Sequence, residues 1–216
     1  MAHDHIVYIV DDDRRICESL LELLESFGMN ALAFRSAAEF LSHSKLELPA
    51  CLILDVELPD LNGLDFQGRI AQGAIAHHND PHIVFITGHG DIPSSVRAIK
   101  AGAVDFLTKP FKHEDLMRAV NSALTQNREA RTKRAELIDL RERHASLTPR
   151  ELEVLPLIVS GLLNKQAAAE LGISENTLQI HRGSLMKKMR AGSLADLVRM
   201  AGILEITLSR CRHPSS

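Results

Sequence analysis

Five short runs rich in β-branched and aromatic residues, each followed by a stretch of helical period, constrain this chain more than anything else in it. Ile6–Val10, Ala31–Phe34, Cys51–Leu54, Ile83–Ile86 and Asp105–Leu107 are too short for helices and read as strands. After the first, Ile16, Leu20, Leu23, Leu24 and Phe27 fall at helical spacing and Gly28 supplies the stop. Ser36 with Glu39 reads as a capping box opening a second helix that carries Phe40 and Leu41. Further helices are expected over about 64–71, about 94–101 and from 113 onward. That alternation means an α/β doubly wound fold, a five-stranded parallel sheet with helices on both faces. Residues 71–82, with Gly73, His77, His78, Asn79 and Pro81, form the loosest connection and read as a surface loop.

The pattern changes after His113. No Pro or Gly occurs from there to about His144, so one long helix is expected. Leu116, Ala123, Ala130 and Leu137 recur every seven residues, but Asn127 and Arg134 interrupt the companion positions. A coiled-coil pair and a solvated spacer helix both stay open. Thr148, Pro149 and Glu151 then supply a cap, an N1 proline and the return half of a capping box. Helices are expected over about 149–160, 164–171, 175–189 and 194–203, an all-α four-helix unit. Asn164–Leu171, the turn Gly172-Ile173-Ser174 and Glu175–Met189 follow helix-turn-helix grammar. Ala167, Ala168 and Leu171 would pack on Leu178 and Leu185, leaving Gln179, Arg182 and Lys187 at or near the opposite side. Lys187, Lys188 and Arg190 also complement a helix dipole, so basic capping of an ordinary bundle helix is the plain alternative. The boundaries read as residues 1–125 for the first domain, 126–145 for a linker helix, 146–209 for the helix-turn-helix domain and 210–216 for a tail.

Charge divides the same way. Residues 1–128 hold 11 basic against 18 acidic side chains, whereas residues 146–216 hold 9 against 6, so a polyanion is bound, if anywhere, at the C-terminal end. The longest apolar runs are strand-sized, far below the ~20 residues of a membrane span, and no secretory signal opens the chain. A cytoplasmic protein without membrane contact is expected. Cys17, Cys51 and Cys211 lack metal-ligand spacing and read as free thiols. His3 with His5, and His77, His78 and His82, are loose groups better suited to a tail and a loop than to a metal.

In a parallel α/β sheet, ligands collect at the carboxyl ends of the strands. Asp11 and Asp12 end the first strand, Asp55 the third and Thr87 the fourth, and Lys109 follows the fifth. Neighbouring carboxylates repel one another, and a hard divalent cation such as Mg²⁺ relieves that repulsion. Lys109 and the Thr87 hydroxyl can both serve phosphate oxygens. Asp55 is then the nucleophile of an in-line phosphoryl transfer. The plain alternative is that these aspartates only cap helices and form turns.

Val10-Asp11-Asp12, Leu54-Asp55, Ile86-Thr87-Gly88-His89-Gly90, Lys100-Ala101-Gly102-Ala103 and Leu107-Thr108-Lys109-Pro110-Phe111 resemble the motifs of a bacterial response-regulator receiver. The resemblance implies a flavodoxin-like fold, Asp55 as phosphoacceptor, Asp11 and Asp12 as the acidic pair, Thr87 as switch hydroxyl, Phe106 as switch aromatic and Lys109 as the phosphate-facing lysine. Pro59 and Gly63 also fit. In that family the metal takes a backbone carbonyl two residues beyond the phosphoacceptor, here Glu57. An acidic side chain there departs from the usual neutral or basic ones and adds negative charge at the phosphate's entrance.

Leu147-Thr148-Pro149-Arg150-Glu151-Leu152-Glu153-Val154-Leu155, Gly161-Leu162-Leu163-Asn164-Lys165 and Ile173–Arg182 resemble the LuxR-type DNA-binding domain. Over residues 5 to about 203 the chain resembles the NarL/FixJ class, in its FixJ-like branch. By that resemblance Gln179, Ile180 and Gly183 face base edges, Lys165, Thr177, His181 and Lys187 touch phosphates, and Arg182 belongs to the same DNA-binding set. It also implies a sensor histidine kinase as phosphoryl donor, homodimers on phosphorylation, promoter DNA and RNA polymerase as partners, and a regulator rather than an enzyme. A phosphatase or phosphotransferase turning over on Asp55, and a phosphorylation-independent DNA binder, are the competing readings.

Overall fold

A computed structural model describes residues 4–43, 47–59, 61–71, 81–88 and 92–206, in two compact units divided between Thr132 and Lys133. The first unit alternates β1 (Ile6–Val10), α1 (Arg14–Ser26), β2 (Ala31–Phe34), α2 (Ala37–Ser42), β3 (Ala50–Asp55), α3 (Gly63–Ala71), β4 (His82–Thr87), α4 (Ile92–Lys100) and β5 (Asp105–Thr108). It closes on the first turns of α5 (His113–Ala145). The sheet order is β2-β1-β3-β4-β5, with every pairing parallel.

Both faces of the sheet are covered, which is why β1 and β3 are apolar without alternation. Successive side chains leave a strand on opposite sides. Tyr8, Leu52, Leu54 and Phe85 therefore meet Phe40 of α2, Phe66 of α3 and Ala98 of α4. Val7, Ile9, Ile53 and Ile86 meet Leu20 and Leu24 of α1 and Leu116, Val120 and Ala123 of α5.

Several boundaries differ from the sequence expectation for identifiable reasons. β3, β4 and β5 each extend to the polar residue that follows the apolar run, so Asp55 and Thr87 lie within the ladder. α4 begins at Ile92 because Pro93 fits a first turn. The Ser36 hydroxyl accepts from Glu39 N at 3.0 Å, but the Glu39 carboxylate returns to Arg35 N, one residue before the cap. Most of the expected 71–82 loop lies outside the described residues, as do His3, Cys211 and the tail.

The heptad recurrence also finds its explanation. Leu116 and Ala123 are fully buried in the sheet's core, so the first half of the pattern is not a coiled-coil seam. Among the described residues no helix is long and apolar enough to cross a membrane.

The second unit holds the last turns of α5, then α6 (Pro149–Val159), α7 (Asn164–Leu171), α8 (Glu175–Met189) and α9 (Leu194–Ile203). Leu140, Leu147, Val154, Leu155, Leu178 and Leu185 lie in its core. Both halves of the Thr148–Glu151 capping box form. Ala167 and Ala168 are buried with Leu178 and Leu185, as the helix-turn-helix pattern requires.

At the far end of the sheet from Asp55, the buried Asn127 of α5 bridges two strands. Its Oδ1 accepts from Ala50 N at 3.0 Å, and its Nδ2 lies 3.0 Å from His82 Nδ1. An amide nitrogen only donates, so Nδ1 accepts and the ring is neutral. Burial holds the His82 pKa below its ordinary 6.5. The unfolded chain therefore binds the extra proton first, and this contribution to stability is whole above pH 6.5 and lost as pH falls through the folded-state value. Urea unfolding of the full chain should show a lower midpoint at pH 5.5 than at pH 7.5, and His82→Gln should flatten that difference.

Candidate functional site

β1 and β3 run side by side and stop at the same level, which brings Asp11, Asp12 and Asp55 together. One carboxylate oxygen from each lies within 4.8 Å of the others. Asp11 and Asp55 are buried and Asp12 is exposed. Lys109 enters from beyond β5, its Nζ 2.6 Å from Asp11 Oδ2 and 3.1 Å from Asp55 Oδ1. Its backbone N–H donates to Thr87 O at 2.7 Å, tying the lysine to the end of β4.

Asp11 is fixed on its other side as well. Its Oδ1 accepts from Asp13 N at 2.9 Å, and its backbone carbonyl accepts from the Cys17 thiol at 3.2 Å. Asp13 in turn caps α1 by accepting from Arg15 N. Arg35, at the end of β2, donates to the Asp12 carbonyl at 3.1 Å, a contact that no sequence motif signalled.

Burial raises the Asp55 pKa, Asp11 and Asp12 push the same way, and Lys109 opposes them. For Lys109, burial works against the charge, but the two carboxylates outweigh it and raise the pKa. Three hard oxygen donors with one exposed member suit Mg²⁺, which keeps several waters and takes one or two carboxylates.

Gly63 is an obligatory part of this end of the sheet. Its N–H donates to Val56 O at 3.0 Å, and a Cβ there would sit 2.5 Å from Asp55 O and 3.1 Å from a Phe85 ring carbon. Only glycine lets α3 begin so close to the Asp55 backbone.

Thr87 is fully buried at the end of β4, and Phe106 of β5 is partly buried, its ring 6.1 Å from that of Phe85. Glu57 stands exposed two residues beyond Asp55.

In the second unit, Gly172 takes φ 64°, a left-handed conformation that closes α7 and turns the chain into α8. The Ser174 hydroxyl caps α8 by accepting from Thr177 N at 3.1 Å. Leu178, Leu185 and Met189 form the buried stripe of α8. Gln179, Ile180, Gly183 and Lys187 are exposed, and helical geometry puts them on one arc opposite that stripe. A Cβ on Gly183 would meet nothing within 4 Å.

Thr177 and His181 are half-buried and lie outside this arc, on the flank of α8 that also carries Ser184 and Lys188. Arg182 is also half-buried, its Nη1 donating to Asn164 Oδ1 at 2.7 Å, so it flanks the exposed face rather than standing in it. Lys165 is exposed, on α7.

Residues 7–121 match the response regulator receiver domain, and residues 145–201 match the bacterial regulatory proteins of the luxR family. The chain belongs to the NarL/FixJ family of response regulators. Nodulation protein W of Bradyrhizobium diazoefficiens is 48% identical over 202 residues, covering 94% of this chain and 87% of that protein. Transcriptional regulatory protein FixJ of the same organism is 39% identical over 195 residues, covering 90% and 93%. The solved structure of the response regulator StyR matches 92% of this chain and 98% of its own, at 42% identity and a TM-score of 0.80. The protein is thus a two-component, DNA-binding transcriptional response regulator. In this family the cluster of Asp11, Asp12 and Asp55 is of the kind that binds Mg²⁺.

An acid whose folded-state pKa is raised is stabilised when neutral, so its contribution is present below the unfolded pKa and lost as pH rises through the folded one. At neutral pH the buried Asp55 is therefore a net cost to the fold in the absence of metal. In EDTA at pH 7, Asp55→Asn should raise the thermal midpoint by on the order of a few degrees. Added Mg²⁺ should narrow the gap by stabilising the wild type more than the variant.

Proposed function

We propose that Asp55 is the phosphoacceptor, that Mg²⁺ is held by Asp11, Asp12, Asp55 and the Glu57 carbonyl, and that a sensor histidine kinase supplies the phosphoryl group. The observation that carries this reading is the buried Asp55 carboxylate, 3.1 Å from Lys109 and within reach of two further carboxylates. An Asp55 oxygen attacks phosphorus, the P–N bond to the donor imidazole breaks, and that nitrogen keeps the electron pair. Lys109 then pairs with a phosphate oxygen. Bound Mg²⁺ would supply neutralisation of the charge that develops on the phosphoryl oxygens.

The Thr87 hydroxyl turns toward the phosphate and Phe106 closes inward over Phe85. That change remodels the face formed by α4, β5 and α5. α4 already presents Ile92, Val96 and Ile99 to solvent, at 80%, 44% and 46% exposure, and this is the apolar surface on which a second copy pairs. Pairing carries two copies of α8 to promoter DNA, where Gln179, Ile180 and Gly183 meet base edges and Lys165, Thr177, His181 and Lys187 meet phosphates. Arg182 serves that surface through its bond to Asn164. Work on the chromosome puts the protein in the bacterial cytoplasm, with RNA polymerase as the downstream partner. Asp55 phosphate is a signal consumed once per cycle, and the protein does not turn over phosphoesters as an enzyme.

Acetyl phosphate should label the wild type only when Mg²⁺ is present, and mass spectrometry should locate the acyl phosphate at Asp55. Label at wild-type level in Asp55→Asn would overturn the assignment. On DNA, Lys187→Ala should weaken binding to all sequences alike and lower the slope of log K against log salt by about one unit. Gln179→Ala should cost roughly 1–3 kcal/mol on a selected site and little on scrambled DNA.

A further inference from the structure

The DNA-reading helix α8 packs into its unit along a narrow apolar stripe, with the partly buried Met186 beside it. Leu178, Leu185 and Met189 are its only fully buried residues, and they lie on a narrow stripe. Each is fully buried and stabilises the packing. Burial is non-directional, however, and a narrow stripe lets a helix roll about its own axis. Hydrogen bonds are directional and do not.

Two such side-chain ties lie on opposite flanks of the stripe, and Arg143 Nη1 adds another at the helix end, donating to Met189 O at 3.3 Å. One of the flank ties is the Arg182–Asn164 bond. The other converges on Glu151 in the first turn of α6, a carboxylate that is only 4% exposed. Its Oε1 accepts from Ser184 Oγ at 2.6 Å, and its Oε2 accepts from Lys188 Nζ at 2.7 Å and from Thr148 N at 2.7 Å. Lys188 also donates to Ser146 O at 3.3 Å. Burial alone would raise the Glu151 pKa, but Lys188, Ser184 and Thr148 together hold it down to about 2. Ser184 and Lys188 are four residues apart and so share one flank of α8, away from the arc of Gln179, Gly183 and Lys187.

We propose that Glu151 is a positioning residue for base reading: through Ser184 and Lys188 it sets the roll of α8, and Lys188 serves the scaffold rather than the DNA. The inference rests on the reading of the exposed α8 arc as the DNA face. Of the two adjacent lysines, Lys187 is free to meet phosphate and Lys188 is held inward. A roll of even one flank would carry Gln179 away from the base edges while leaving basic charge near the backbone. Loss of the tie should therefore cost selectivity more than it costs overall attraction to DNA.

The test uses the full chain with Mg²⁺ and acetyl phosphate. Fluorescence anisotropy measures affinity for a duplex selected from a random library by the wild type, and for its scrambled counterpart, at several salt concentrations. Glu151→Gln keeps an acceptor for Thr148 N but removes the charge. It should reduce the ratio of selected to scrambled affinity about tenfold or more and change scrambled affinity less than about twofold. Lys188→Met should likewise lower the ratio and leave the salt slope unchanged, whereas Lys187→Ala should lower the slope by about one unit.

Should Glu151→Gln fail to fold by circular dichroism, Ser184→Ala with Lys188→Met leaves the capping box whole and should give the same loss of ratio. A salt slope reduced by about one in Lys188→Met would make Lys188 a phosphate contact and overturn the proposal. An unchanged affinity ratio in the double variant would overturn it as well. A Lys187→Ala slope equal to wild type would instead show that the DNA face itself is misplaced.

Discussion

One ammonium group lies between two buried carboxylates, and the receiver unit is organised around that fact. Asp11 and Asp55 end adjacent strands, so their like charges are forced together by the same register that pairs β1 with β3. Lys109 relieves the conflict only in part, since Asp55 keeps a raised pKa even with the lysine beside it. This end of the sheet thus holds more buried acid than the one lysine matches. A buried carboxylate whose charge is costly to the resting fold is the kind of group that clusters at functional sites. Backbone bonds transmit the arrangement outward: Lys109 N to Thr87 O joins it to β4, and Gly63 N to Val56 O joins it to α3.

The second unit solves a different problem with the same chemistry. Here the buried carboxylate, Glu151, is fully matched by donors, and its pKa falls instead of rising. The contrast between Asp55 and Glu151 is one of satisfaction. The first has more acid around it than base, and the second has a lysine, a hydroxyl and an amide for its two oxygens. An unsatisfied buried acid suits a switch, and a satisfied one suits a fixture.

The strand ends were legible in sequence because catalytic position in a parallel sheet follows from strand order and chain direction alone. Asp11, Asp12, Asp55, Thr87 and Lys109 each sit where an apolar run stops, and the structure brings the three aspartates and Lys109 together as that reading requires. The helix-turn-helix was legible for a similar reason, since Gly172 and the caps Thr148 and Ser174 are local signals. Long-range partners were not. Glu151 reads in sequence as half of a capping box, and nothing local reveals that its carboxylate also reaches Ser184 and Lys188, 33 and 37 positions away. Helical spacing puts Arg182 at or near the side opposite the core, yet a residue on the boundary of a face can turn either way, and its guanidinium bonds Asn164. The heptad of Leu116 and Ala123 was real as a pattern, but a seven-residue recurrence does not say which surface it covers. A sheet claimed its first half.

The exposed arc of α8 has a consequence for how such a protein can diverge. Gln179, Ile180 and Gly183 make no packing contribution that the fold depends on, and Gly183 opens onto empty space. Substitutions on a surface of this kind usually change stability by no more than about 0.5 kcal/mol. The three positions are therefore free to vary independently of the scaffold that aims them. On the proposed reading of these residues as base contacts, a lineage could exchange its target sites by a few codon changes there, keeping the receiver, the linker helix and the anchoring carboxylate untouched.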